Sequence, residues 1–135
     1  MVIDASAAIK LIFVEPGSDR VIELAKTTEL IAPILLYSEF ANALWRRILQ
    51  GELARERGGE PPLALLAKIV HAVDEKPHIP RALDLAIALE HPIYDCVYLA
   101  VAEAYDDELL TADTRFVRRV QGTPHAGRVR ELGDA

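Results

Sequence analysis

The stretch "MVIDASAAIKLIFVE", residues 1–15, decides the fold. A short apolar run ends on an acid, Asp4, and the chain passes at once into the helical pattern "SAAIKLIFVE". An acid directly after "MVI", at the end of a strand, is unusual except beside a turn or a ligand. Two questions follow: whether the strand-then-helix unit recurs, and what Asp4 faces.

The unit does recur. "LIAP", residues 30–33, reads as a second short strand after the helix signalled by Ser18 and Asp19 in "PGSDRVIELAKTTE". The helix "ILLYSEFANALWRRILQG" follows, with Pro33 fitting its first turn and Gly51 closing it. "ARERGGEPP", residues 54–62, is a charged turn rich in Gly and Pro. "LALLAKIVHAVD", residues 63–74, reads as helical, and "KPHIP", residues 76–80, as a very short strand. Then come the helix "RALDLAIALEH", a helix from Ile93, the turn "YDDE", the strand "LLTAD" at 109–113, the helix "TRFVRRVQG" and a last edge strand in "RVREL". Short apolar strands alternating with helices imply an α/β fold, a mainly parallel sheet covered by helices on both faces. Such sheets take their ligands at the carboxyl ends of the strands.

The 135 residues suit one domain spanning 1–135, which can bury about two thirds of its unfolded surface. The chain is 51% hydrophobic and 27% charged, with no repeat or low-complexity tract, so disorder is confined to the ends. Asp4, Lys10 and Glu15 interrupt the first apolar stretch, and no basic segment precedes it. It is therefore neither a signal peptide nor a membrane span, and a cytoplasmic location without membrane contact is expected. The single cysteine, Cys96, agrees with a reducing compartment and reads as a small buried hydrophobe. A net charge of −6 argues against a simple electrostatic nucleic-acid binder. That objection weakens if carboxylates are neutralised by a cation.

Four acids are candidates for such a role. Asp4 and Asp113 end strands that share a carboxyl edge if they run parallel, Glu39 lies within two turns of a helix start after the second strand, and Asp95 lies in the first turn of its own helix. Asp95 and Asp113 can equally be helix caps, each worth about 1 kcal/mol, and Glu39 a solvated helix residue. A buried carboxylate on the side of Leu99 and Ala102, as Asp95 would be, otherwise needs a positive partner or a metal. On the helix carrying Glu39, Asn42 and Arg46 continue one polar stripe. Glu39 can ligate, Asn42 can bond a ligand carboxylate or water, and Arg46 can meet a phosphate. The histidines have no metal-ligand spacing and no CxxC exists, which disfavours zinc. A cluster of carboxylates suits Mg²⁺ or Mn²⁺, ions able to activate water for attack on a phosphodiester. GxGxxG, GxxxxGK[ST] and GxSxG are absent, and Ser6 stands where a phospho-aspartate enzyme of the haloacid type wants a second Asp.

"VIDASAAIK", "PILLYSEFANAL", "HPIYDCVYLAVAEA" and "LLTADTRF" resemble, in order and spacing, the four acidic motifs of PIN-domain ribonucleases, and most nearly the VapC toxins of toxin-antitoxin pairs. The resemblance spans residues 2 to about 120. It implies a PIN-like three-layer α/β/α sandwich, an RNA substrate and hydrolysis by water activated by Mg²⁺ or Mn²⁺. The acidic positions are then Asp4, Glu39, Asp95 and Asp113, supported by the polar groups of Ser6, Asn42 and Thr111. Lys10, Arg46 and Arg115 are candidate phosphate contacts. A homodimer and a small protein antitoxin covering the acidic groove are also implied. Two alternatives remain beside the toxin: a PIN nuclease of RNA processing or DNA cleavage without an antitoxin, and a non-catalytic PIN-like binding module.

Overall fold

The computed structural model describes residues 1–53 and 60–133. Five strands form one sheet: β1 (Val2–Ile3), β2 (Leu30–Pro33), β3 (Val70–Val73), β4 (Leu109–Thr111) and β5 (Val129–Glu131), in the order β3-β2-β1-β4-β5. Every pairing is parallel: Val2 opposes both Ile31 and Leu109, Leu30 opposes Val70, and Leu109 opposes Val129. Val2, Ile3, Leu30, Leu109 and Leu110 are all buried, which is why these strands are unbroken apolar runs rather than alternating ones.

Among the described residues seven α-helices connect them: α1 (Ala5–Ile12), α2 (Ser18–Thr27), α3 (Leu35–Leu49), α4 (Glu60–Ile69), α5 (Ile79–Leu89), α6 (Ile93–Ala104) and α7 (Thr114–Val120). From β1 the chain steps outward to β2 and β3, then returns across the sheet to β4 and continues the other way to β5. Right-handed crossovers therefore place α1 to α4 on one face and α5 to α7 on the other. Packing agrees: α1 rests against α2, α3 and α4, while α6 lies across β1, β2 and β4 beneath α5. That position explains the apolarity of α6, whose residues Cys96 to Ala102 are all buried. No single helix among the described residues is long and apolar enough to cross a membrane.

Three local expectations need correction. "LALLAKIVHAVD" is not one helix: α4 stops at Ile69, and Val70–Val73 pairs along its whole length with Leu30–Pro33. A short apolar run fits helix or buried strand equally by period; β-branched Val70 and Val73 suit a strand, and the pairing with β2 completes it. "KPHIP" holds no strand. Lys76–His78 is a 3₁₀ turn, and Ile79 and Pro80 open α5, where proline's missing N–H costs nothing. Pro33 ends β2 instead of starting α3, and the ladder continues through the Ile34 N–H, which donates to the Val73 carbonyl at 3.1 Å. Glu75, just after β3, caps α3 from a distance by accepting from the Ile34 and Leu35 amides, each at 3.1 Å.

Gly51, just past α3, adopts φ +74° as a helix terminator should, and "RVREL" is an edge strand as expected. Of the charged turn "ARERGGEPP", residues 54–59 lie outside the described residues, and Glu60, Pro61 and Pro62 belong to α4.

Candidate active site

The reversal of chain direction occurs between β1 and β4, and a parallel sheet opens a crevice at the carboxyl ends of strands flanking such a reversal. Asp4 follows β1 at this point. It is 5% exposed and serves as the N-cap of α1, its Oδ1 accepting from the Ala7 amide at 3.0 Å and from the Ser6 hydroxyl at 2.6 Å. Oδ2 accepts from the Thr111 hydroxyl at the end of β4. Ser6 Oγ in turn accepts from the Ala112 amide at 2.8 Å, and Thr111 Oγ1 from the Asp113 amide at 3.0 Å. Ser6, Asp4 and Thr111 thus stitch the start of α1 to the end of β4.

Three further acids face the same crevice from other elements. Glu39, in the second turn of α3, accepts at Oε1 from the hydroxyl of Tyr98 on α6 at 2.6 Å. Asp95, in the first turn of α6, has Oδ2 2.6 Å from Nε2 of His91. Asp113 caps α7, its Oδ1 accepting from the Arg115 and Phe116 amides at 2.9 and 3.3 Å. Asp4, Glu39, Asp95 and Asp113 all line one cleft of about 670 Å³, together with Ser6, Asn42, Arg46 and Tyr94.

Burial in this cleft works against ionisation. It pushes the Asp4 carboxyl up to about 6; the hydrogen bonds from Ser6, Thr111 and Ala7 oppose the rise, and the charge of Asp95 adds to it. Glu39 and Asp95 are raised for the same first reason, against the pull of the Tyr98 hydroxyl and of His91 respectively, with Asp95 adding to Glu39 and Asp113 adding to Asp95. The acids therefore sense one another as like charges. Tyr98 is held far above the ordinary phenol range, by burial and then by Glu39. Burial lifts the Cys96 thiol to about 11, so it is no nucleophile and packs as the small hydrophobe the sequence indicated.

The capping reading holds for Asp113 but not for Asp95, because Pro92 occupies the N-cap of α6. Asp4, by contrast, is a cap as well as a lining residue. Asn42 and Arg46 share the cleft with Glu39, as their stripe on α3 suggested. Thr111 is buried behind Asp4 and does not line the cleft. Arg115 is exposed on the first turn of α7, where its charge reaches Asp95. Lys10 is turned away, its ammonium donating to the Pro16 carbonyl at 2.7 Å and lying 3.3 Å from Glu15.

Sequence reasoning missed two neighbours of the acids. His91 was detectable, since it stands four residues before Asp95. Tyr98 was not, because its partner Glu39 is 59 residues away in the chain.

Among the described residues, no three Asp, Glu, His or Cys side chains already stand as ligands around one point. The acids take hydrogen-bonding partners in the protein instead: the Tyr98 hydroxyl for Glu39, His91 for Asp95 and the amides of α7 for Asp113. The donor set nevertheless fits a hard divalent cation in kind: it is all oxygen. Glu39 Oε2, Asp95 Oδ1 and Asp113 Oδ2 have no hydrogen bond among the described residues and remain free for one.

Fold and site together define a class: a parallel α/β/α sandwich with an acidic cleft where the strand order reverses. The PIN domain family matches residues 1–121. Ribonuclease VapC1 of Mycobacterium tuberculosis is 34% identical over 118 residues, covering 84% of this chain and 86% of that protein. A crystal structure of a Pyrobaculum aerophilum protein superposes with TM-score 0.72 at 20% identity, covering 97% of this chain and 87% of the other. A toxin-antitoxin complex from Klebsiella pneumoniae gives TM-score 0.68 at 16% identity, covering 99% and 98%. The chain belongs to the PIN domain family, on its VapC-type branch.

Proposed function

We propose that this chain is a metal-dependent endoribonuclease of the toxin type, hydrolysing RNA phosphodiester bonds and restrained by a protein antitoxin. The observation that carries the reading is the convergence of Asp4, Glu39, Asp95 and Asp113, from four separate elements, on one cleft. Four like charges around one cleft repel phosphate, an arrangement with little use unless a cation joins them. The Mycobacterium tuberculosis relative is named a ribonuclease, and the Klebsiella pneumoniae neighbour is a toxin-antitoxin complex, which supports both parts.

Asp4, Glu39, Asp95 and Asp113 would hold Mg²⁺ or Mn²⁺, which supplies an activated water and charge stabilisation at the phosphate when bound. The chain's own groups do the rest. The Ser6 and Thr111 hydroxyls and the Ala7 amide hold Asp4 in one orientation, so its carboxylate need not reorganise. Arg46, exposed in the cleft wall, offers a bidentate contact to an RNA phosphate, and Asn42 one turn earlier offers an amide. Tyr94, 60% exposed at the cleft, presents a ring on which an unpaired base can stack, so a single-stranded region fits better than a duplex.

The reading includes a homodimer in the cytoplasm. Ile79, Leu83 and Ile87 are 38%, 51% and 69% exposed at successive turns of α5, an apolar stripe suited to a second copy. The test is incubation of partner-free protein with a mixed RNA pool in Mn²⁺, in Mg²⁺ and in chelator. Cleavage only with metal supports the enzyme. Intact RNA under all three conditions, with Mn²⁺ failing to bind, would favour the non-catalytic binding module.

A further inference from the structure

We propose that His91 is a positioning residue that fixes the Asp95 carboxylate for metal binding. This rests on the metal-dependent reading above and goes beyond it, since that reading gives His91 no role.

The backbone places His91 before its side chain acts. α5 ends with Glu90 in the left-handed region at φ +50°, and the His91 amide bonds back to the Ala86 carbonyl at 3.1 Å while the Glu90 amide reaches Ile87 at 3.4 Å. This is a Schellman closure, normally built on glycine. Pro92 follows as N-cap of α6 with φ −54° and ψ 145°. The corner between α5 and α6 therefore has a fixed shape, and His91 is its pivot.

The ring is fixed as well. It packs against Phe116 of α7 at 5.0 Å between centroids, and Phe116 is itself 1% exposed. The His91 side chain is 14% exposed, so the ring has little room to rotate. From this seat Nε2 lies 2.6 Å from Asp95 Oδ2 and donates to it whenever the carboxylate is ionised. Asp95 lines the cleft and His91 does not. The imidazole is behind the acid, out of position to be a ligand itself, and acts only through Asp95. It occupies one oxygen and leaves Oδ1 for the cation.

Partners of ligating groups in this position typically change metal affinity by about 10- to 100-fold when removed. The test is calorimetric titration of partner-free protein with Mn²⁺, with no RNA present. His91→Phe keeps a ring against Phe116 and loses the donor, whereas His91→Gln keeps an N–H near the place of Nε2. The expected result is Mn²⁺ affinity lower by about 10- to 100-fold in His91→Phe and restored to within about threefold in His91→Gln. Adding His91→Phe to Asp95→Asn should cause no further loss, because the histidine works through that carboxylate.

Thermal unfolding of each variant separates a lost fold from a lost donor, with His91→Gln as the second variant if His91→Phe does not fold. Equal Mn²⁺ affinity in wild type and a folded His91→Phe overturns the assignment and leaves the nuclease reading standing. An equal loss in His91→Gln and His91→Phe overturns it too, since the donor would not be the cause. Wild-type protein that fails to bind Mn²⁺ overturns both.

Discussion

Asp4→Asn should remove most of the pH dependence of stability between pH 4 and 7 when divalent ions are chelated. Burial raises the Asp4 carboxyl from its ordinary 3.8 to about 6. An acid whose pKa is higher in the folded state binds its proton more tightly there, so folding is favoured at low pH and loses stability as the pH rises through this window. A little over two pKa units at 1.36 kcal/mol each gives a loss of about 3 kcal/mol, complete by about pH 7. At about 4 °C per kcal/mol for a chain of this size, Asp4 alone lowers the melting temperature by about 10 °C. Glu39 and Asp95 shift in the same direction and add to the slope in both proteins. Glu15, Glu103 and Asp107 are lowered and act in the opposite sense, but below about pH 4.5, their ordinary range. Asparagine can still accept at Oδ1 from Ser6 and Ala7 and donate from Nδ2 to the Thr111 hydroxyl. Thermal unfolding in chelator, from pH 4 to 7.5, should give a wild-type curve steeper than that of Asp4→Asn by about 10 °C over the range. Parallel curves would mean that Asp4 ionises normally and that the buried-acid account of this cleft is wrong.

Other consequences follow from the same contacts. Thr111→Val keeps the shape but removes the donor to Asp4 Oδ2 and the acceptor of the Asp113 amide; chemical denaturation should show a loss of about 1–3 kcal/mol. Glu90→Gly relieves a left-handed φ of +50° and should raise stability by about 0.5–1 kcal/mol, read in the same assay. Arg46→Ala should raise KM for RNA with little change in kcat and reduce the slope of log affinity against log salt by about one.

The legible parts of the fold were those whose local signals agreed with the tertiary outcome. β1, β2 and β4 are apolar runs buried on both faces, and a helix follows each of them. Gly51 marked the end of α3 because a positive φ was needed there. β3 was hidden because Val70 to Val73 follows α4 with no turn residue between them, and pairing with β2 completes the strand. Its cap on α3, Glu75, joins segments 40 residues apart, which no local pattern encodes. The four acids could be picked out because each stands at a strand end or near a helix start on the carboxyl edge. The donors that orient them could be read only partly. Ser6 sits two residues from Asp4, whereas Thr111 and Tyr98 reach their acids across 107 and 59 residues.

The measurement that tests the central claim most directly compares wild type with Asp95→Asn, both freed of any partner and matched by thermal unfolding, for cleavage of a mixed RNA pool in Mn²⁺ and in chelator. The account predicts metal-dependent cleavage by the wild type and a loss of at least about 100-fold in the folded variant, as expected when a ligating carboxylate is removed. Equal cleavage by both proteins, or cleavage that persists in chelator, would contradict it and leave Asp95 as a partly buried acid paired with His91.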